Sequence, residues 1–156
     1  MKIKIIALGK INEKFLYDGI NEFLKRLTPY ASVEIQEIMP IEVKDNNLIN
    51  KILDEEAEKI LSYIKKDSYV ITLEILGKQL SSEEFAQRIC NITILGLSEL
   101  IFVIGSSHGL SKKVSDRANF NFSISQMTFL HQFARLILVE QIYRAFKIIK
   151  NETYHK

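Results

Sequence analysis

The 156-residue chain holds one cysteine, Cys90, and a single thiol cannot form an internal disulfide. Set between Ile89 and Asn91 in a helix-like segment, it reads as a buried structural thiol rather than a reactive one. No apolar run approaches the ~18 residues that a membrane span requires. Lys2 and Lys4 give the N-terminus a charged start, but the apolar stretch beside them is too short for a secretory signal. The three histidines, His108, His131 and His155, show neither H-E-x-x-H nor paired-cysteine spacing, so no metal site is expected. No linker, repeat or low-complexity segment interrupts the sequence. These absences point to a single cytoplasmic domain with no membrane partner.

Hydrophobic residues make up 47% of the chain and charged residues 26%, an ordinary globular mix on a chain long enough for one sizeable core. The net charge of +2 conceals a division. Up to residue 111 there are 13 Lys/Arg against 16 Asp/Glu, and from residue 112 there are 8 against 3. A basic C-terminal third suits contact with a polyanion; a solvated face with a chance excess of lysine is the plain alternative.

Short apolar runs alternate with helical patterns throughout. Residues 2–8 and 32–38 read as strands, the second with one exposed face. Between them Phe15, Leu16, Ile20, Phe23, Leu24 and Leu27 recur at helical spacing, and Pro29 follows. A helix rich in Leu, Ile, Glu and Lys is expected over about 46–66, then a strand over 69–73, with Gly77 marking the turn after it. Ser81 or Ser82 caps a helix over 83–95. Residues 100–104 are almost wholly apolar, as suits a strand in the buried middle of a sheet. A glycine turn, a short helix near 111–118, a strand near 120–124 and a long helix from about 131 to 150 complete the pattern. Repeated alternation of strand and helix predicts a single α/β domain, a mostly parallel sheet with helices on both faces.

In the last helix Phe133, Leu136, Ile137, Leu138, Val139, Ile142, Tyr143, Phe146, Ile148 and Ile149 occupy more of the circumference than one core-facing stripe requires. The surplus predicts an exposed apolar patch, and so a homodimer with this helix at the contact. A helix sandwiched within its own domain is the alternative.

Chemistry is expected where strands end. Ile104-Gly105-Ser106-Ser107-His108-Gly109-Leu110 is a glycine-bracketed turn leaving an apolar strand, and open α/β sheets bind ligands at such ends. It matches neither the dinucleotide fingerprint nor a P-loop. It does match G-x-S-x-G, with Ser107 as a would-be nucleophile and Asp116, then His131 or His155, in triad order. Asp116 falls on the helix just after the turn rather than at another strand end, and the chain is short for a hydrolase scaffold, so a serine hydrolase is the weaker reading. The stretch from Ile124 to Gln132 holds polar groups and backbone amides at the same edge. The terminus, Asn151 to Lys156, has the composition of a frayed tail, yet Tyr154-His155-Lys156 suits stacking on a base and contacting a phosphate.

These runs, together with Glu140-Gln141-Ile142-Tyr143-Arg144-Ala145, closely resemble the bacterial large-subunit ribosomal RNA pseudouridine N3-methyltransferases of the SPOUT superfamily. The likeness covers essentially the whole chain, with several separated motifs in the same order. It implies a C-terminal trefoil knot, S-adenosylmethionine as cofactor, an active homodimer, and large-subunit ribosomal RNA or the ribosome as partner. Carried over by position, the cofactor contacts would be Leu73, Gly105, Ile124, Ser125, Gln126, Met127, Thr128 and Phe129. For that transfer His131 is a candidate base, with capping or bracing of the last helix, or a reaction without a protein base, as the alternatives; Arg135 and Arg144 are candidates for phosphate or developing negative charge, and Tyr154 with His155 for binding or orienting the target base. A structural ion pair with Glu140, four residues earlier, is the other reading of Arg144. Two positions depart from the family pattern: Ser106 stands where a second glycine is usual, and Leu130 where a proline is usual. A non-catalytic RNA-binding protein is the remaining alternative to an enzyme.

Overall fold

The computed structural model describes residues 1–97 and 99–154. The apolar runs become five strands, β1 (Lys2–Leu8), β2 (Ser32–Ile38), β3 (Tyr69–Gln79), β4 (Glu99–Ile104) and β5 (Phe120–Ser123). They form one sheet in the order β2-β1-β4-β3-β5, and every pairing is parallel. Parallel neighbours need long crossovers. The helices α1 (Lys14–Leu27), α2 (Ile49–Ser62), α3 (Ser82–Ile94) and α4 (Lys112–Arg117) lie in these connections, and α5 (His131–Ile149) follows the last strand.

Side-chain alternation along the strands divides the interior in two. Leu100, Phe102 and Ile104 of β4 join the core covered by α1, α3 and α5, whereas Ile101 and Val103 join the core under α2 and α4. β1 divides likewise, with Ile3, Ile5 and Ala7 in the first core and Ile6 and Leu8 in the second. The sheet is covered on both faces, as the alternation of strand and helix predicts. No described helix is long and apolar enough to cross a membrane.

Local chemistry sets the ends of the elements. Ser81, rather than Ser82, caps α3 in a reciprocal box: its hydroxyl accepts from the Glu84 amide and the Glu84 carboxylate accepts from its own. At the other end of the chain α5 stops in a Schellman turn. Asn151 takes a left-handed φ of 53°, and the amides of Asn151 and Glu152 donate to the carbonyls of Ile148 and Lys147. The terminus therefore turns back onto the body, at least to Tyr154. The expected helix over 46–66 is divided: Asp45 accepts from the Asn47 amide at 2.9 Å and starts a 3-10 turn over Asn46–Leu48 before α2 begins.

Two further expectations change. Gly77 does not mark a turn; β3 continues through it, bulging between Leu73 and Lys78, to pair again with β5. A Cβ at Gly77 would lie 2.7–2.8 Å from the backbone of Asn121 and Phe122, so glycine is needed for close approach. The apolar surplus of α5 is largely absorbed within the chain: Leu136 packs over Gly19 of α1, and Tyr143 meets Phe23 and Tyr30. Exposed apolar side chains gather instead near its first turn, where Phe133 touches Phe15 beside Leu130 and Phe129. Cys90 is free and half-buried on α3 rather than fully enclosed.

Gly77→Ala should destabilise the fold by about 1–3 kcal/mol through backbone overpacking. Thermal unfolding followed by circular dichroism should show a fall of several degrees, and an unchanged midpoint would refute the close approach.

Candidate active site

All five strands of a parallel sheet present their C-terminal ends on one side. There a cleft of ≈ 650 Å³ opens between the β3 bulge, the turn after β4, the loop after β5 and the first turn of α5. Leu73, Gly105, Ile124, Ser125, Met127, Thr128 and Phe129 all line it, and His131 joins them. Gln126 does not; it is exposed and absent from the cleft lining.

The turn after β4 is closed on itself. The Gly109 amide donates to the Ser106 carbonyl at 3.0 Å, and Gly109 has a φ of 89°. A Cβ on Gly105 would lie 2.4 Å from the Gly109 carbonyl oxygen, so the first glycine is required by the chain's own backbone and not only by a ligand. The departure at Ser106 has a structural counterpart. Its hydroxyl donates to Glu56 of α2 at 3.3 Å, and the other oxygen of that buried carboxylate accepts the Ile41 amide at 2.9 Å. Glu56 thereby ties the turn to the segment after β2. In the loop after β5 the Ser123 hydroxyl donates to the Ser125 carbonyl, and the Ser125 hydroxyl accepts from the Met127 amide.

The hydrolase constellation is not assembled. Helix α4 starts only at Lys112, after the closed turn, so Ser107 does not sit on a strand-to-helix elbow. Among the described residues the Ser107 hydroxyl has no hydrogen bond to a histidine or carboxylate, and Asp116 is paired with Lys112 at 2.6 Å. No group of three potential metal ligands occurs among the described residues.

His131 begins α5 at the cleft wall, and Gly9 makes room for it: a Cβ there would lie 3.0 Å from Nε2. Burial, and then the nearby Arg135 charge, hold its pKa below the ordinary 6.5. The ring is therefore neutral at physiological pH and able to accept a proton. Arg135 itself is 1% exposed and absent from the cleft lining. Its guanidinium donates to the Gly9 carbonyl at 2.8 Å and to Glu37 at 2.5 Å. In this structure its charge serves the interior, not a phosphate, which corrects the expectation from the sequence.

Arg144 and Tyr154 form a second group. Arg144 pairs with Glu140 at 2.6 Å and stacks over Tyr154, whose hydroxyl donates to the same carboxylate at 3.1 Å. Burial first, and then Glu140, raise the Tyr154 pKa, keeping the phenol protonated. His155, the remaining candidate, lies outside the described residues. Arg144 stands 13 residues along α5 from His131, about 20 Å at 1.5 Å per residue. Within one chain the two groups cannot share a reacting atom.

The charge division along the sequence does not become an equally divided surface. Lys113 pairs with Asp54 and Glu58, Lys147 with Glu152, and Arg117 donates to the carbonyls of Lys65, Lys66 and Ser68. Lys113 and Arg117 are thus met by groups from earlier in the chain, and Lys147 by an acid of the C-terminal segment itself. Sequence reasoning also passed over Glu74. Among the described residues it is the only carboxylate lining the cleft, and no described lysine or arginine lines it.

The family described as predicted SPOUT methyltransferases matches residues 1–155. Among curated proteins, the chain is 50% identical to a putative ribosomal RNA large subunit methyltransferase H from Methanococcus maripaludis, with all of both chains covered. Ribosomal RNA large subunit methyltransferases H from Carboxydothermus hydrogenoformans and Enterococcus faecalis are 49% and 48% identical, again with all of both chains covered. Among solved structures, a probable methylase family protein from Haemophilus influenzae superposes with a TM-score of 0.54 at 13% identity, covering 99% of this chain and 70% of that one.

Two outcomes follow from this geometry. Because the folded-state pKa of His131 is lowered, the unfolded chain binds the proton more readily, and this contribution to stability is lost as pH falls through 6.5 and below. Ring-proton NMR should give a midpoint under 6.5, and His131→Asn should flatten that part of the stability profile; a midpoint at or above 6.5 would contradict the burial. Leu130 has a φ of −56°, within the range of proline, and is exposed. Leu130→Pro should therefore fold with a melting temperature no lower than that of the parent chain; a clear loss would show that its backbone is not preset.

Proposed function

Because the chain belongs to the SPOUT methyltransferase family, we propose that it transfers a methyl group from S-adenosylmethionine to N3 of a pseudouridine in large-subunit ribosomal RNA, working in the cytoplasm. The reading draws on the full-length relatives named for that RNA. The single observation that supports it most is the cleft itself, in which a self-closed glycine turn and the loop after β5 meet a neutral, half-buried histidine.

The residues present fit such a cofactor. Ligand pockets for molecules of this size run to several hundred Å³ and are mostly apolar with a few placed polar groups. Leu73, Ile104, Ile124, Met127 and Phe129 offer apolar surface, and the turns at 105–109 and 123–129 offer backbone donors and acceptors. When bound, S-adenosylmethionine supplies an activated methyl on a sulfonium whose positive charge disappears on transfer. The acceptor imide must lose its N3 proton. His131, neutral and on the cleft wall, would receive it, and the positive dipole end of the uncapped first turn of α5 would favour the developing anion.

We further propose that two copies complete each site. Arg144 and Tyr154 lie about 20 Å down α5 from His131. A second chain with its α5 running the opposite way would bring that pair to the cleft. Exposed Ile75, Leu76, Met127, Leu130 and Phe133 around the cleft mouth make an apolar rim suited to such a contact. The C-terminal knot of the family belongs to the same proposal, since β4, β5 and α5 all contribute to the cleft.

The test is transfer of labelled methyl from the cofactor to ribosomal RNA, supplied as bare RNA, subunits or ribosomes. Label should enter RNA, and loss of residues 154–156 should reduce transfer by at least a hundred-fold while leaving cofactor binding nearly intact. Mixing that truncated chain with His131→Ala chains should restore part of the activity. RNA binding without methyl transfer would instead support a non-catalytic binding module, and full activity of the truncated chain would remove the tail from the site.

A further inference from the structure

Resting on the cofactor reading above, we infer that Glu74 is the specificity residue by which the cleft prefers the cationic methyl donor to its uncharged-at-sulfur product. Among the described residues the cleft is lined by apolar side chains, hydroxyls and two histidines, with Glu74 as its one carboxylate and no lysine or arginine. Among the described residues Glu74 makes no ion pair. A half-buried carboxylate without a countercharge is an unusual feature in a mostly apolar cleft, because desolvation penalises it until a cation arrives.

Its direction is fixed from behind. The hydroxyl of Thr72, a fully buried residue two positions earlier on the same strand face, donates to Oε1 at 2.6 Å. The Asn121 side-chain amide of β5 donates to the same oxygen at 2.9 Å. Both bonds engage Oε1, leaving Oε2 to a ligand. These contacts exist because the β3 bulge begins just after Leu73, where the strand swings out and lines the cleft with Glu74, Ile75 and Leu76. The sequence places one acid in the otherwise apolar run Leu73-Glu74-Ile75-Leu76. A purely structural acid held by neutral donors would serve equally well as glutamine, and that difference makes the inference testable.

S-adenosylmethionine and S-adenosylhomocysteine share the adenosine, amino and carboxylate groups and differ by a methyl and one positive charge at sulfur. A carboxylate directed at the sulfur therefore separates them, whereas one directed at the amino group or ribose does not. The preference also has a consequence for turnover. Once the methyl leaves, the attraction is gone, and product release is favoured over product retention.

Isothermal titration of the full chain with each of the two ligands, without RNA and so without turnover, tests this. Glu74→Gln keeps an acceptor for Thr72 and Asn121 and should weaken S-adenosylmethionine binding by about ten-fold, with S-adenosylhomocysteine changing less than two-fold. Glu74→Asp, which keeps the charge, should retain most of the preference; unchanged melting temperatures show that both variants fold. Equal weakening of both ligands, or no change in either, would overturn the inference while leaving the cofactor assignment standing. Failure of the parent chain to bind either ligand would overturn the cofactor assignment and this inference with it.

Discussion

A buried guanidinium joins the parts of this molecule that matter most. Arg135 reaches from the second turn of α5 to the Gly9 carbonyl at the end of β1 and to Glu37 near the end of β2. Removing such a charge from water costs several kcal/mol unless hydrogen bonds and a counterion replace the solvent. Here the carbonyl and the carboxylate do so, although Nε has no described partner. The arrangement fixes the start of the last helix against the sheet, and with it His131, one turn earlier and packed against Gly9. The same cation helps to keep the histidine neutral. An arginine that the sequence suggested for phosphate is thus better understood as the reason the cleft has a wall.

The remaining walls depend on backbone meeting backbone. Gly105 allows the turn after β4 to close, and Gly77 allows the far end of β3 to return to β5 after its bulge. Neither position tolerates a Cβ without movement of main chain. Between these two approaches the bulge carries Glu74 and the apolar rim, so the tightness of the packing and the chemistry of the cleft have a common origin. Glu56 adds a tie from outside, through Ser106, at a position where this chain departs from the family's glycine. That departure adds a bond to the turn instead of merely stiffening it.

Much of the architecture was legible because parallel sheets write themselves plainly. Both faces are buried, so β1 and β4 are apolar runs of the right length, and the helices between them carry one apolar stripe each. The end of β3 was not legible: Gly77 follows a strand as a turn glycine would, and only the position of β5 reveals why it stays extended. How much of the α5 surplus its own chain takes up was not legible either, since periodicity cannot tell a neighbouring helix of the same chain from one of another. The segment proposed for the cofactor was read from motif order, and the cleft gathers all of it but Gln126. The burial of Arg135 and the place of Glu74 on the cleft were not recoverable. A buried arginine and a surface arginine look alike in sequence, and a lone acid gains meaning only when its neighbours prove to be neutral.

One cleft at the C-terminal edge of the sheet is the proposed seat of an adenosyl sulfonium. Backbone amide NMR of the chain titrated with S-adenosylmethionine addresses this most directly. Shifts should concentrate in residues 73–76, 104–110 and 123–131, and spare the opposite edge, where Glu99 lies between Lys2 and Lys4. Shifts scattered over the surface, centred on that opposite edge, or absent at saturating ligand would contradict it.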